Sequence, residues 1–122
     1  MFTADQIVAH FVGDYILQTH WMATEKTKRS FAAAIHALIY TLPFSLISRN
    51  PFALAIICGT HFLMDRYRLA RFLVWAMNGR RRPMTATGYP GDVPEWLSVW
   101  LLIITDNTLH ILINGLVLAV FP

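Results

Sequence analysis

AHFVGDYILQTHW (residues 9–21) places His10 and Asp14 four residues apart inside an otherwise apolar run. HFLMD (61–65) repeats the interval with His61 and Asp65, and DNTLH (106–110) reverses it with Asp106 and His110. The surrounding segments are long, apolar and free of strand-like alternation, so they read as helices, and side chains four apart share one helix face. The chain has 122 residues, 56% of them hydrophobic and only 14% charged, against about 25% charged in soluble domains. Its mean hydropathy is +0.47. Lipid is the expected solvent for such helices; the alternative is a soluble four-helix bundle with unusually apolar faces.

Four segments, at about residues 3–22, 30–48, 52–77 and 94–121, are each near or above the ~20 residues that cross a bilayer core. They predict one all-α domain over residues 1–122, an integral-membrane four-helix bundle that runs up-down-up-down. Pro43 should kink the second segment and Pro94 suits the first turn of the fourth. The first apolar stretch has neither a basic leader nor a small-residue cleavage site, so no secretory signal is expected. A single cysteine, Cys58, excludes an internal disulfide framework and reads as an apolar filler. Lys26, Lys28 and Arg29 follow segment one, and Arg80, Arg81 and Arg82 follow segment three, while the turn between segments two and three has only Arg49. The positive-inside rule then puts both basic loops in the cytoplasm, and both termini on the far side of the membrane. The expected partners are membrane lipids and a second copy of the chain, with no nucleic acid.

Ionisable residues inside a spanning helix cost about 2.5–3.5 kcal/mol each on insertion scales, so they mark functional sites. Here they line up. His10, Asp14 and Gln18 share one face of segment one, His61, Asp65 and Arg68 one face of segment three, and Asp106, His110 and Asn114 one face of segment four. Segment two adds His36, with Tyr40 one turn on. The reading is a buried polar centre in which His10, Asp14, His36, His61, Asp65, Asp106 and His110 ligate one or two divalent metals. Imidazole and carboxylate without thiolate suit zinc, or manganese or iron with more oxygen. Asp–His packing contacts and a proton or ion pathway are the alternatives.

The stretches AHFVGDYILQTHWMATEK, IHALIY, HFLMDRYR and DNTLH together resemble a family of small bacterial and phage inner-membrane proteins of unknown function. The likeness covers almost the whole chain. It matches His10, Asp14, Gln18, His36, His61, Asp65, Asp106 and His110, with Lys26 after the first helix and Arg68 after the third-helix aspartate. Asn107 stands where Asp-Gln is expected in relatives. More distantly the pattern is similar to membrane-bound metal-dependent hydrolases, and through them to all-helical zinc phospholipases C and nucleases. That resemblance implies a zinc centre that cleaves a phosphoester.

The functional expectation is a di-zinc hydrolase acting on a phosphoester or lipid headgroup near the cytoplasmic leaflet. His36 serves as ligand or general acid, Arg68 holds phosphate through its planar fork, and Gln18, Asn107 and Asn114 bond ligands or substrate. Arg66 and Arg71 are expected to point away and snorkel. The alternatives are a non-enzymatic protein that binds or conducts metal ions or protons, and a phage or host envelope interaction protein with a structural metal.

Overall fold

Thr3 starts the first helix: its hydroxyl accepts the Gln6 backbone N–H at 3.3 Å, and Asp5 sits favourably in the positive first turn. The computed structural model describes residues 2–122, which form six α-helices and no β-strand. These are α1 (Ala4–Phe11), α2 (His20–Glu25), α3 (Ser30–Thr41), α4 (Pro51–Tyr67), α5 (Ala70–Met77) and α6 (Glu95–Val120).

Three of the four expected segments are interrupted, each for a local reason. Segment one passes from α1 into a π-helical turn, Val12–Ile16, and restarts as α2, where the Thr19 hydroxyl accepts the Met22 N–H. Segment two tightens into a 3-10 turn at Leu42–Leu46, because Pro43 cannot donate to the helical ladder. Segment three breaks at Arg68, whose left-handed backbone (φ 51°, ψ 50°) ends α4 before α5 begins. Only α6 runs through as one helix, and among the described residues it alone is long and apolar enough to cross a membrane. Only 22% of its most apolar window is buried, so most of its apolar surface faces outward.

Packing puts α3 against α4 and α2, and α6 against α1, α4 and α5. Ala32, Ala33 and Ala37 are buried on α3, and such small side chains let helix backbones approach closely. The π turn comes closer still: a Cβ on Gly13 would lie 2.7 Å from the Tyr40 carbonyl oxygen. An apolar cluster of Ala9, Tyr40, Phe44 and Ile57, with Leu54, Val117 and Leu118 against it, fills one end of the molecule. At that end Asn50 caps α4 with its side-chain oxygen and donates to the Pro122 carbonyl at 3.4 Å. The other end carries the Lys26–Arg29 turn, clasped by Arg66 at the end of α4. Arg66 Nη1 donates to the Thr27 carbonyl at 2.8 Å and Nε to Ser30 Oγ at 3.2 Å. The buried polar side chains His10, Asp14, His36, His61, Asp65 and His110 share the interior with small apolar ones such as Ala32, Ala33 and Ala37, while Ile16, Phe31, Leu46, Phe52 and Met77 are each at least 70% exposed. A polar centre is thus buried within a molecule whose surface carries many exposed apolar side chains.

Candidate metal centre

Asp65, on the last turn of α4, is buried and divides its two oxygens between two clusters. Its Oδ2 lies 3.2 Å from His36 Nε2 and 3.3 Å from His61 Nε2. His36 Nε2 is also 3.1 Å from Asp14 Oδ1 and 3.0 Å from His61 Nε2, and His61 Nε2 is 3.8 Å from Asp14 Oδ1. The other oxygen, Oδ1, lies 3.3 Å from His110 Nε2, which is 3.4 Å from Asp106 Oδ2. Asp14, His36, His61 and Asp65 therefore form one group able to hold a metal ion, and Asp65, Asp106 and His110 form another. Tetrahedral zinc with bonds of about 2.0–2.1 Å needs ligand atoms about 3.3–3.4 Å apart, and the His–Asp distances are 3.1–3.8 Å in the first group and 3.3–3.4 Å in the second. The π turn brings Asp14 into the first group, α3 supplies His36, and the i, i+4 spacing of α4 and α6 supplies the remaining pairs.

Spacing alone misplaces His10. It is fully buried, yet both ring nitrogens are engaged away from the carboxylates. Asn107 donates through Nδ2 to the Ile103 carbonyl at 2.8 Å, which leaves its Oδ1 to accept from His10 Nε2 at 2.7 Å. His10 Nδ1 then accepts from the Tyr40 hydroxyl at 2.9 Å, and Asn114 Nδ2 donates to the Tyr40 oxygen at 2.6 Å. The His10–Asp14 pair does not converge on one point, because a π turn alters the angular spacing between them. Asn107 and Asn114 support His10 and Tyr40 and touch neither group. Tyr40 also stacks on His61, ring centres 3.5 Å apart.

Lys26 is the residue that spacing missed. Its Nζ lies 2.6 Å from Asp65 Oδ2, 3.5 Å from Asp14 Oδ1 and 3.3 Å from His36 Nε2. Burial disfavours the ammonium, but the Asp65 and Asp14 carboxylates outweigh burial and hold it above the ordinary lysine value. The ion pair at Asp65 Oδ2 is close but not aligned as a hydrogen bond, and that buried oxygen has no hydrogen-bond donor. In sequence Lys26 reads as one of three loop cations, and only the family resemblance singled it out. Gln6, buried one turn before His10 and donating to the Ile111 carbonyl at 3.0 Å, was legible by the same i, i+4 rule. Arg66 does not snorkel, since it clasps the Lys26 turn.

A cavity of about 350 Å³ opens beside the centre. Asp14, Lys26, Asp65 and Asp106 line it together with Gln18, Arg68 and an apolar wall that includes Leu102 and Ile103. Gln18 Oε1 is buried there without a partner. A larger recess of about 800 Å³, between residues 47–52 and the end of α6, is lined by no histidine or carboxylate side chain.

A family model described as "Protein of unknown function (DUF3307)" matches residues 2–117. The chain belongs to that family. The match contains every side chain of the two groups, Lys26 and the cavity lining. The resemblance to a family of unknown function is thus met at family level. No curated protein and no solved structure matches the chain.

Proposed function

We propose that this protein is a membrane-embedded, metal-dependent hydrolase that cleaves a phosphoester, with the headgroup of an anionic lipid in the cytoplasmic leaflet as its substrate class. One observation carries the reading: Asp65 presents one oxygen to each of two His/Asp groups at the wall of a cavity that also holds Arg68. Zinc is the preferred ion for this nitrogen and oxygen set, with manganese and iron as alternatives. A bound divalent ion lowers the pKa of its water to about 7 and polarises a phosphoryl oxygen. Arg68 offers a planar fork to the phosphate, and Gln18, unpaired in the same cavity, offers a hydrogen bond to substrate. Arg68 takes a left-handed backbone that costs a non-glycine residue about 1–3 kcal/mol, and such strain concentrates at functional positions. His36 does not suit the general-acid role, because its Nε2 faces Asp14, Asp65 and His61 and the side chain does not line the cavity.

Membrane embedding is supported by the outward apolar surface and inward polar centre, an arrangement suited to lipid and not to water. In this reading the regions 3–22, 30–48, 52–77 and 94–121 form the up-down-up-down bundle, with interrupted helices lining the polar centre. Non-helical backbone at membrane depth is tolerated when it is buried in protein. An ion path across the bilayer is less well supported. Ile57, one helical turn before His61, and Phe44, two turns after His36, belong to a buried apolar cluster.

The test uses detergent-purified protein, with metal counted by mass spectrometry and turnover followed on phosphatidic acid and on bis(p-nitrophenyl) phosphate. Bound metal, and phosphoester cleavage that chelation abolishes and zinc restores, are expected in wild type, with both lost in Asp65→Asn. A metal-free wild type, or metal that survives in Asp65→Asn, would sink the centre. Bound metal without cleavage of either ester would remove the hydrolase and leave a structural or transport metal.

A further inference from the structure

Two adjoining groups that share one carboxylate suggest two ions, yet three features of the cluster argue for one. We infer that the centre holds a single divalent ion, bound by Asp65 Oδ1, Asp106 and His110, while Lys26 fills the neighbouring compartment as a tethered cation. The inference rests on the metal centre proposed above and fixes its stoichiometry and position.

The first feature is where the ammonium sits. Lys26 Nζ contacts three of the four atoms of the group formed by Asp14, His36, His61 and Asp65. A divalent ion among those atoms would lie within a few ångströms of a positive charge and be repelled by it. The turn that delivers Lys26 is fastened by Arg66 through the Thr27 carbonyl and Ser30 hydroxyl, so the ammonium is held in place at both ends of its side chain. Neither His110 nor Asp106 lies within ion-pair distance of Lys26, whose contact with Asp65 is to Oδ2.

The second feature is a shared hydrogen. His61 Nδ1 and His110 Nδ1 face each other at 3.3 Å, so one ring donates and the other accepts. A neutral imidazole that donates from Nδ1 keeps a free lone pair on Nε2, whereas one that accepts at Nδ1 carries its hydrogen on Nε2. Only one of these histidines can therefore coordinate through Nε2 while the pair is intact. His61 faces the compartment occupied by Lys26, so His110 is the ligand, and the ion takes the place of the hydrogen that His110 Nε2 gives to Asp65 Oδ1 at 3.3 Å.

The third feature is charge and access. Asp14, Asp65 and Asp106 contribute three negative charges, which one ammonium and one divalent ion cancel. A second ion beside the ammonium would leave the buried centre with two positive charges in excess, against one where the ammonium is removed. The compartment with His110 supplies three protein ligands, and the side chain of Asp106 is 28% exposed and lines the cavity. Three protein ligands beside an open position is the form of a catalytic metal site, while a closed four-ligand site is structural.

Chelator-stripped protein in detergent, dialysed against micromolar zinc chloride, gives the count. Wild type should hold one zinc per chain, as should Asp14→Asn, while Asp106→Asn and His110→Ala should hold none. Lys26→Met keeps the apolar stem and vacates the first compartment, so it should hold two. Two zinc ions in wild type, or one that survives in Asp106→Asn and disappears in Asp14→Asn, overturns the assignment. So does a count of one in folded Lys26→Met. No zinc at all in wild type overturns the metal centre itself. Acetylation with a water-soluble succinimidyl ester, mapped by peptide mass spectrometry, needs no variant. Lys26 should stay unmodified in both stripped and zinc-loaded wild type, and acetylation that rises on zinc loading would show that the ion expels the lysine.

Discussion

At Tyr40 a single hydroxyl joins three helices, giving its hydrogen to His10 on α1 and accepting from Asn114 on α6. Tyr40→Phe keeps the ring stacked on His61 but leaves a buried ring nitrogen and a buried amide unpaired. Each unsatisfied buried group costs about 1–3 kcal/mol. Thermal unfolding in detergent should show a loss of about 2–6 kcal/mol for the two groups together, with the zinc count unchanged. An unaltered midpoint would mean that the network is not structural. Arg68 gives a prediction of opposite sign. Glycine accepts its left-handed backbone without strain, so Arg68→Gly should stabilise the fold by about 1 kcal/mol while weakening binding of inorganic phosphate. Titration calorimetry and a melting curve on the same variant separate the two effects. Unchanged phosphate affinity would remove Arg68 from the site. His61 with Asp65 and Asp106 with His110 were legible as i, i+4 pairs, because regular helix turns carry them. Lys26 was not, because a flexible stem on a basic turn looks like a topological charge until the carboxylates it reaches are seen.

The helices were legible as apolar stretches, but their interruptions were less so. Pro43 announces its own break, since the missing N–H is written in the residue. The π turn at Val12–Ile16 and the left-handed stop at Arg68 are set by tertiary contact, and no local residue pattern demands either. Gly13 is the trace of the first. A Cβ there meets the Tyr40 backbone, which cannot yield as a flexible side chain would. Gly13→Ala should therefore push the π turn from α3 and cost about 1–3 kcal/mol, the usual penalty for overpacking. It should also loosen Asp14 from His36, which raises amide exchange across residues 12–16 in hydrogen-exchange mass spectrometry. Ordinary stability and exchange in this variant would show that the close approach is not required. At Gly59 nothing lies within 4 Å of an added Cβ, so Gly59→Ala serves as the control.

At the scale of the molecule, the two ends differ in chemistry. The turn at Asn50, the start of α1 and the C-terminal Pro122 line one recess, and Asn50 bonds the Pro122 carbonyl. The Lys26 turn and Arg68 lie at the other, where the cavity opens. Basic loops resist translocation, so the cavity end should face the cytoplasm and the two termini the opposite side. That orientation presents Lys26 and Arg68 to the leaflet richest in anionic headgroups. Replacing Cys58, the one native thiol, with alanine permits a labelling test with one new cysteine at a time. Arg81→Cys should react with a membrane-impermeant maleimide in inside-out vesicles and stay unlabelled in intact spheroplasts, with Pro122→Cys showing the reverse. Labelling of both positions from the same face would break the bundle topology. The reverse pattern would turn the molecule over and move its substrate to the outer leaflet. Extraction by alkaline carbonate would instead place the chain on the surface, where exposed Phe31, Leu46 and Met77 would need another cover.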